Sequence, residues 1–215
     1  MNYKAVIFDL DGTLVNSIED IADAMNAVLK SANYPTHSYQ EYYSFVGSGI
    51  KSLVTKALPN NSCNAQQTEI GFNAMMAIYS NNCINKTKPY DGIIALLEAL
   101  KARQLKLSIL SNKEDTLTKK VALALLPSYF ESVDGLTTEA HKKPNPIKAL
   151  EISKNLGIKP EEIIFVGDSD VDIQTANNAN MYAVGVSWGF RKKEELIANG
   201  AKLILNHPLE LLDIL

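Results

Sequence analysis

The 215-residue sequence predicts an α/β fold: a doubly wound parallel sheet core with a small helical domain inserted after the first strand. Three observations predict it. Short apolar runs that end in polar residues recur along the chain. Helical periods lie between them. One early stretch breaks this alternation and carries helical periods alone.

Ala5-Val6-Ile7-Phe8 is a continuous, β-rich apolar run ending at Asp9, the pattern of a strand buried on both faces. Leu107-Ser108-Ile109-Leu110, Ile163-Ile164-Phe165-Val166 and Ala183-Val184-Gly185-Val186 repeat it, and Ser132-Val133 marks a weaker case. Between them, Ile93, Leu96, Leu97 and Leu100 share a helical face. Leu117, Val121 and Leu125 mark a second helix stopped by Pro127, and Ile147, Leu150, Ile152 and Leu156 a third stopped by Gly157. Strand alternating with helix is the signature of a parallel sheet covered on both faces.

From Ser17 to Lys86 the pattern changes. Ile21, Met25, Val28 and Leu29 form one stripe, Ile50, Leu53, Val54 and Ala57 a second, and Ile70, Ala74, Ala77 and Ile78 a third. Ser38 and Glu41 have capping-box spacing. Lys86 to Gly92 reads as the linker back, with turn chemistry in its Pro and Asp-Gly. The expected division is a catalytic core of residues 1–15 and 88–215 and a helical insert of residues 16–87.

Apolar residues make up 46% and charged residues 21%, ordinary for a chain with a real core. The net charge of −3 gives no basic surplus to suggest nucleic acid. Met1-Asn2-Tyr3-Lys4 meets an acid at Asp9 before any signal-length apolar run, and no stretch approaches the ~18 apolar residues of a membrane span. The expectation is a cytoplasmic protein, monomer or homodimer, with no membrane partner. Cys63 and Cys83 both fall in the insert and are expected as buried thiols.

Three apolar runs end alike, in Asp9-Leu10-Asp11-Gly12-Thr13, in Ser111-Asn112-Lys113 and in Gly167-Asp168-Ser169-Asp170-Val171-Asp172. Ligands of open parallel sheets bind outside the carboxyl ends of the strands, so Asp9, Ser111 and Asp168 should converge. Asp-Gly alone is common in turns. A calcium loop fails, because alignment on Gly12 puts Ile7 and Ile18 where the outer carboxylates belong. Several carboxylates at one strand edge require a counter-charge, and oxygen ligands favour magnesium. Ser111 and Asn112 can donate hydrogen bonds there. Lys143, ahead of a helix, is either a solvated loop lysine or an anion-binding ammonium near a positive helix end. Together these groups make a site for a phosphoryl group. No phosphate-binding GxxxxGK[ST] is present, and Gly47-Ser48-Gly49 is too short a signal for a dinucleotide.

Phe8-Asp9-Leu10-Asp11-Gly12-Thr13-Leu14, Ser111-Asn112-Lys113, Lys143-Pro144 and Gly167-Asp168 through Asp172 together resemble the four ordered motifs of the haloacid dehalogenase superfamily. The resemblance covers nearly the whole chain, and the insert resembles that superfamily's small helical cap. Leu14-Val15-Asn16-Ser17, Val46-Gly47-Ser48-Gly49 and Gly185-Val186-Ser187-Trp188-Gly189 resemble its phosphoglycolate phosphatase branch, which usually has Asp where this chain has Asn16. The resemblance implies a magnesium-dependent phosphatase acting on a small phosphorylated metabolite, 2-phosphoglycolate first. It makes Asp9 the nucleophile, ionised at neutral pH, and Asp11 the general acid and base, its proton affinity raised by neighbouring carboxylates and cap closure. It puts Mg2+ on the Asp9 side chain, the Asp11 main-chain carbonyl and Asp168, phosphate on Ser111, Asn112 and Lys143, and Asp172 in support. The alternatives are a phosphosugar mutase of the same superfamily and a receiver-like phosphoacceptor module. The latter would need neither the insert nor a second acid two residues after the nucleophile.

Gly47, Ser48 and Gly49 are either substrate contacts or an inter-helix turn. Trp188 is expected to pack at the crevice rim, and Arg191-Lys192-Lys193 to open a helix in solvent. His37, His141 and His207 are scattered and receive no metal or base role.

Overall fold

The computed structural model describes residues 3–60 and 62–215. Met1 and Asn2, at the head of the expected core segment, lie outside the described residues, as does Asn61. The elements are β1 (Ala5–Phe8), β2 (Val15–Asn16), α1 (Ile18–Ser31), α2 (Tyr39–Phe45), α3 (Ile50–Ala57), α4 (Ala65–Asn82), β3 (Lys88–Pro89), α5 (Ile93–Ala102), β4 (Lys106–Glu114), α6 (Asp115–Leu125), β5 (Ser132–Leu136), α7 (Ile147–Leu156), β6 (Ile163–Gly167), α8 (Asp170–Asn178), β7 (Tyr182–Val186), α9 (Lys193–Ala198) and β8 (Leu203–Leu205).

Six strands form one sheet in the order β5-β4-β1-β6-β7-β8, each neighbouring pair parallel. This is the doubly wound α/β core the strand runs predict. Every residue of β1 is buried, as a central parallel strand requires. The chain builds outward from β1 to β4 and β5, then crosses to β6, β7 and β8 on the other side. The switch point of the sheet therefore lies at β1, and its crevice opens beyond the carboxyl ends of β4, β1 and β6.

Between β2 and β3 the described residues form only helices. α1 buries Ile21, Met25, Val28 and Leu29, and α3 buries Leu53, Val54 and Ala57. The Ser38–Glu41 capping box starts α2. α4 corrects the expected stripe of Ile70, Ala74, Ala77 and Ile78. Its buried residues are Thr68, Gly71, Met75 and Tyr79, and Ile70 is 54% exposed. The cause is close approach: a side chain at Gly71 would stand 2.8 Å from Val54 Cγ1, so α3 can only cross α4 there. In α7, likewise, Ile147 and Leu150 are exposed, while Ala149, Ile152 and Ser153 face inward.

The segment expected as a plain linker pairs instead. Lys88–Pro89 lies antiparallel to Val15–Asn16, so the chain leaves and re-enters the sheet region side by side. Asp20, buried in α1, clamps this crossing by accepting from the backbone N–H groups of Lys86 and Thr87 and from Thr87 Oγ1. Arg191 also departs from expectation. Its guanidinium donates to the Tyr43 carbonyl and, at 2.7 Å, to that of Val46, tying the end of α2 to the loop after β7. Of the two thiols, Cys83 is buried and Cys63 only half-buried. Among the described residues no helix is long and apolar enough to cross a membrane.

Candidate active site

Asp9 is the first residue past β1, and its N–H donates to Val166 O at 2.9 Å, so β6 fixes its position. Its carboxylate is buried. Oδ1 lies 2.8 Å from Lys143 Nζ, an ion pair. Lys143 is buried, not a solvated loop lysine, and its ammonium also meets Asp172 Oδ1 at 2.6 Å and Leu110 O at 3.0 Å. Burial alone would weaken that ammonium's hold on its proton, but Asp172 and Asp9 more than offset this and raise its pKa.

Asp172 is the third residue of α8 and reaches back to its start. Its Oδ2 accepts from Ser169 N–H at 3.0 Å and Ser169 Oγ at 2.5 Å. Both its oxygens are thus occupied, which makes it a holder of Lys143. Asp168 ends β6. Its Oδ1 accepts from Thr13 Oγ1 at 3.0 Å and its Oδ2 from Phe190 N–H at 2.8 Å. Trp188 donates to Thr13 O at 3.0 Å, so it braces the Asp9–Thr13 loop as well as packing.

The carboxylates of Asp9, Asp168 and Asp172 offer oxygens all within 4.8 Å of one another. Burial, opposed by Lys143 and reinforced by Asp172, pushes the Asp9 carboxyl up to about 7. Burial thus opposes the ionisation expected of this carboxylate. Burial, then Asp172 and Asp9, raise Asp168 well above its ordinary range. Both shifts arise first from burial, with the Asp172 carboxylate adding to it. An oxygen-only donor set and carboxylates gathered within 4.8 Å of one another fit a hard divalent cation such as Mg2+, with Asp9 and Asp168 as side-chain ligands.

β4 runs on through Ser111-Asn112-Lys113 rather than ending at Leu110, with its pairing to β5 shifted between Leu110 and Glu114. Ser111 Oγ accepts from Lys113 N–H at 3.3 Å, and its own proton remains available to a ligand. The Asn112 side chain differs from its expected role. Its amide nitrogen donates to Lys143 O and to Gly47 O, both at 3.1 Å, and its oxygen accepts from Lys143 N–H at 2.8 Å. It positions the Lys143 backbone and has no donor left for phosphate in this arrangement.

Asp11 also has an unexpected neighbour. Its oxygens lie 2.9 and 3.0 Å from Lys113 Nζ, so the group against it is an ammonium rather than another carboxylate. Lys113 in turn donates to the hydroxyl of Tyr79 on α4 at 2.6 Å. The sequence places Lys113 in the Ser111-Asn112-Lys113 motif without giving it a role, and gives Tyr79 none. A lysine placed among buried strand residues is the available signal for the first. The misread stripe of α4 hid the second.

Asp9, Asp11, Ser111, Asn112 and Lys113 line one cavity of about 50 Å3 whose roof comes from Ile21, Val46, Gly47, Gly49, Ile50 and Leu53. Ser48 faces an adjoining groove that shares Gly49, Ile50 and Asn112 as walls. Asp9, Asp11, Ser111, Lys143, Asp168 and Asp172 thus come together although they lie far apart in sequence.

A family model described as haloacid dehalogenase-like hydrolase matches residues 6–186. The chain is 32% identical to a phosphoglycolate phosphatase of Aquifex aeolicus over 99% of its own length and 96% of the relative's. It is 35% identical to a phosphoglycolate phosphatase of Chromobacterium violaceum over the same shares. Its fold superposes on a solved structure from Lactobacillus delbrueckii subsp. bulgaricus with a TM-score of 0.94 at 27% identity, covering 100% of this chain and 98% of that one.

Proposed function

The chain belongs to the haloacid dehalogenase-like hydrolases, in their phosphoglycolate phosphatase-like branch, and on that premise we propose that it hydrolyses a small phosphomonoester through an aspartyl-phosphate on Asp9, with Mg2+ as cofactor and 2-phosphoglycolate as first candidate substrate. As a phosphoric monoester hydrolase of this kind it needs a nucleophile, a proton carrier and screening of the phosphate's charge. The single observation that carries the reading is the Asp9 carboxylate: buried at the floor of the cavity, 2.8 Å from Lys143, and within 4.8 Å of carboxylate oxygens of Asp168 and Asp172.

In the first step an Asp9 oxygen attacks phosphorus and the bond to the leaving oxygen breaks. Asp11 gives that oxygen its proton, so the alcohol departs neutral. In the second step water attacks phosphorus and passes a proton to Asp11. The bond between phosphorus and the Asp9 oxygen breaks, returning the carboxylate and inorganic phosphate. Ser111 and Lys143 hold the phosphate oxygens, and Asp172 and Asn112 hold Lys143. When bound to Asp9, Asp168 and the Asp11 carbonyl, Mg2+ supplies positive charge that lets a carboxylate approach a phosphate.

Residues 16–87 act in this reading as a cap over a core of residues 1–15 and 88–215. Gly47 and Gly49 face the leaving group, and the docked helices exclude water. Release of free phosphate, rather than return of the phosphoryl group to a sugar, separates this reading from a phosphosugar mutase. The second carboxylate, Asp11, supports turnover over the stable phosphoacceptor of a receiver-like module.

The test is phosphate release from a panel of phosphorylated acids and sugars, with and without Mg2+, by the wild-type protein and Asp9→Asn. Mg2+-dependent release from small phosphorylated acids, abolished in a folded Asp9→Asn, is the expected result. Full activity in EDTA, or substantial release by Asp9→Asn, overturns the reading.

A further inference from the structure

We propose that Tyr79 and Lys113 are positioning residues through which the docked helices set the geometry of Asp11; this rests on Asp11 being the proton carrier of the reaction above. Lys113 sits on β4 of the sheet and Tyr79 on α4 of the helical segment, and both side chains are buried. The ammonium has three protons to place. The structure gives it the Asp11 oxygens at 2.9 and 3.0 Å and the Tyr79 hydroxyl at 2.6 Å. Its nitrogen stands 4.7 Å from the centre of the Tyr79 ring, so the tyrosine also closes one side of the ammonium's surroundings.

Taking an ammonium out of water is costly, and an apolar pair would hold two elements together at least as well. The polar arrangement has a consequence an apolar one lacks. Lys113 contacts both oxygens of Asp11, and Tyr79 fixes where Lys113 ends. With the helices docked, the carboxylate is held at one position on the cavity wall. With the helices lifted, Tyr79 leaves, water takes its place, and Lys113 loses the restraint that aims it. Asp11 is therefore aligned for proton transfer only when the cavity is closed over substrate. Closure and chemistry become one event, and the phosphoenzyme is protected from premature attack.

The two positioning residues act on proton transfer and not on Asp9, which gives a distinctive readout. An aryl phosphate carries a good leaving group that departs without a proton, whereas an alkyl phosphate needs one. In Tyr79→Phe the single-turnover burst of aryl alcohol should stay within about threefold of wild type. Steady-state turnover of both substrates, and the single-turnover rate with an alkyl phosphate, should fall by roughly tenfold or more, the scale of one lost hydrogen bond to a charged group, with KM nearly unchanged. Lys113→Met should show the same split, more strongly. Thermal melting checks that both variants are folded. Equal slowing of the aryl burst and the alkyl reaction reduces the contact to a structural one and overturns the proposal, as do wild-type rates in both variants. If Asp9→Asn retains the aryl burst, the underlying reaction scheme fails instead, whatever the Tyr79 variant does.

Discussion

Lys143 Nζ and Asp172 Oδ1 stand 2.6 Å apart in the interior, their side chains 1% and 0% exposed, and this contact joins the loop before α7 to the first turn of α8. Asp172 spends its other oxygen on Ser169, so it cannot swing away from the lysine. Asp172→Ala should therefore do two things. It should destabilise the fold by about 3 kcal/mol, the lower end of the cost of breaking a buried pair, because Lys143 keeps Asp9 as a partner. It should lower kcat/KM by at least about tenfold, as loss of a supporting contact does at comparable sites. Denaturant unfolding and steady-state kinetics check both. A wild-type kcat/KM in a folded variant would show that Lys143 needs no holder.

The sheet and the main acidic residues could be read from the sequence because their signals are local and strong. An uninterrupted apolar strand ending in Asp, as at Phe8-Asp9 and Val166-Gly167-Asp168, declares both its burial and the place where it stops. Asp9, Ser111 and Asp168 follow once β1, β4 and β6 are neighbours. What escaped depends on tertiary approach. The buried face of α4 is chosen by how closely Val54 comes to Gly71, which outweighs the more apolar Ile70 and Ile78. Tyr79 is buried for the same reason. Arg191 reads as a surface cation and Lys113 carries no role of its own within its motif, because a charge's partner, the Val46 carbonyl or Asp11, lies far along the chain. β2 and β3 are two residues each, too short for any period.

Gly12 stands at φ +86°, and a side chain there would come within 2.3 Å of Asp168 Oδ2 and 2.7 Å of the Phe190 ring. Gly12→Ala thus combines left-handed strain of about 1–2 kcal/mol with displacement of a proposed metal ligand. The expected outcome is Mg2+ binding weakened by roughly tenfold or more, beyond the loss in stability. A Mg2+ titration followed by thermal shift measures it. Unchanged Mg2+ affinity would remove Asp168 from the cation site.

Asp20 accepts hydrogen bonds of 2.7–3.0 Å from Lys86 and Thr87, where the helical segment returns to the sheet. Asp20→Ala leaves the buried Thr87 donors, and the half-buried Lys86 N–H, without this acceptor. A loss of about 3 kcal/mol follows from hydrogen bonds to a charged group and the stranded N–H groups. The side chain touches none of the reacting groups, so chemistry on an aryl phosphate should persist in the folded fraction. Unfolding curves that overlay those of the wild type would show that the crossing is held by β2 and β3 alone.

Mg2+ binding should be strongly pH-dependent, and its sign follows from Asp9. In the metal-free protein burial raises this carboxyl from 3.8 to about 7. Between about pH 4 and pH 7 the folded state therefore binds more protons than the unfolded chain, and metal-free stability falls as pH rises through that window. The rise in Asp9 alone corresponds to about 4 kcal/mol in order of magnitude. Asp168, raised in the same direction, adds to it. Lys143, held above its ordinary range, stays charged throughout and contributes no slope there. A cation on Asp9 and Asp168 must expel those protons, so its affinity should climb as pH rises through the same window. The rise in melting temperature produced by saturating Mg2+ should be small at pH 5 and large at pH 8, and binding near pH 6 should release protons into a weak buffer. A Mg2+ stabilisation of equal size at both pH values would mean that the cation does not bind these carboxylates.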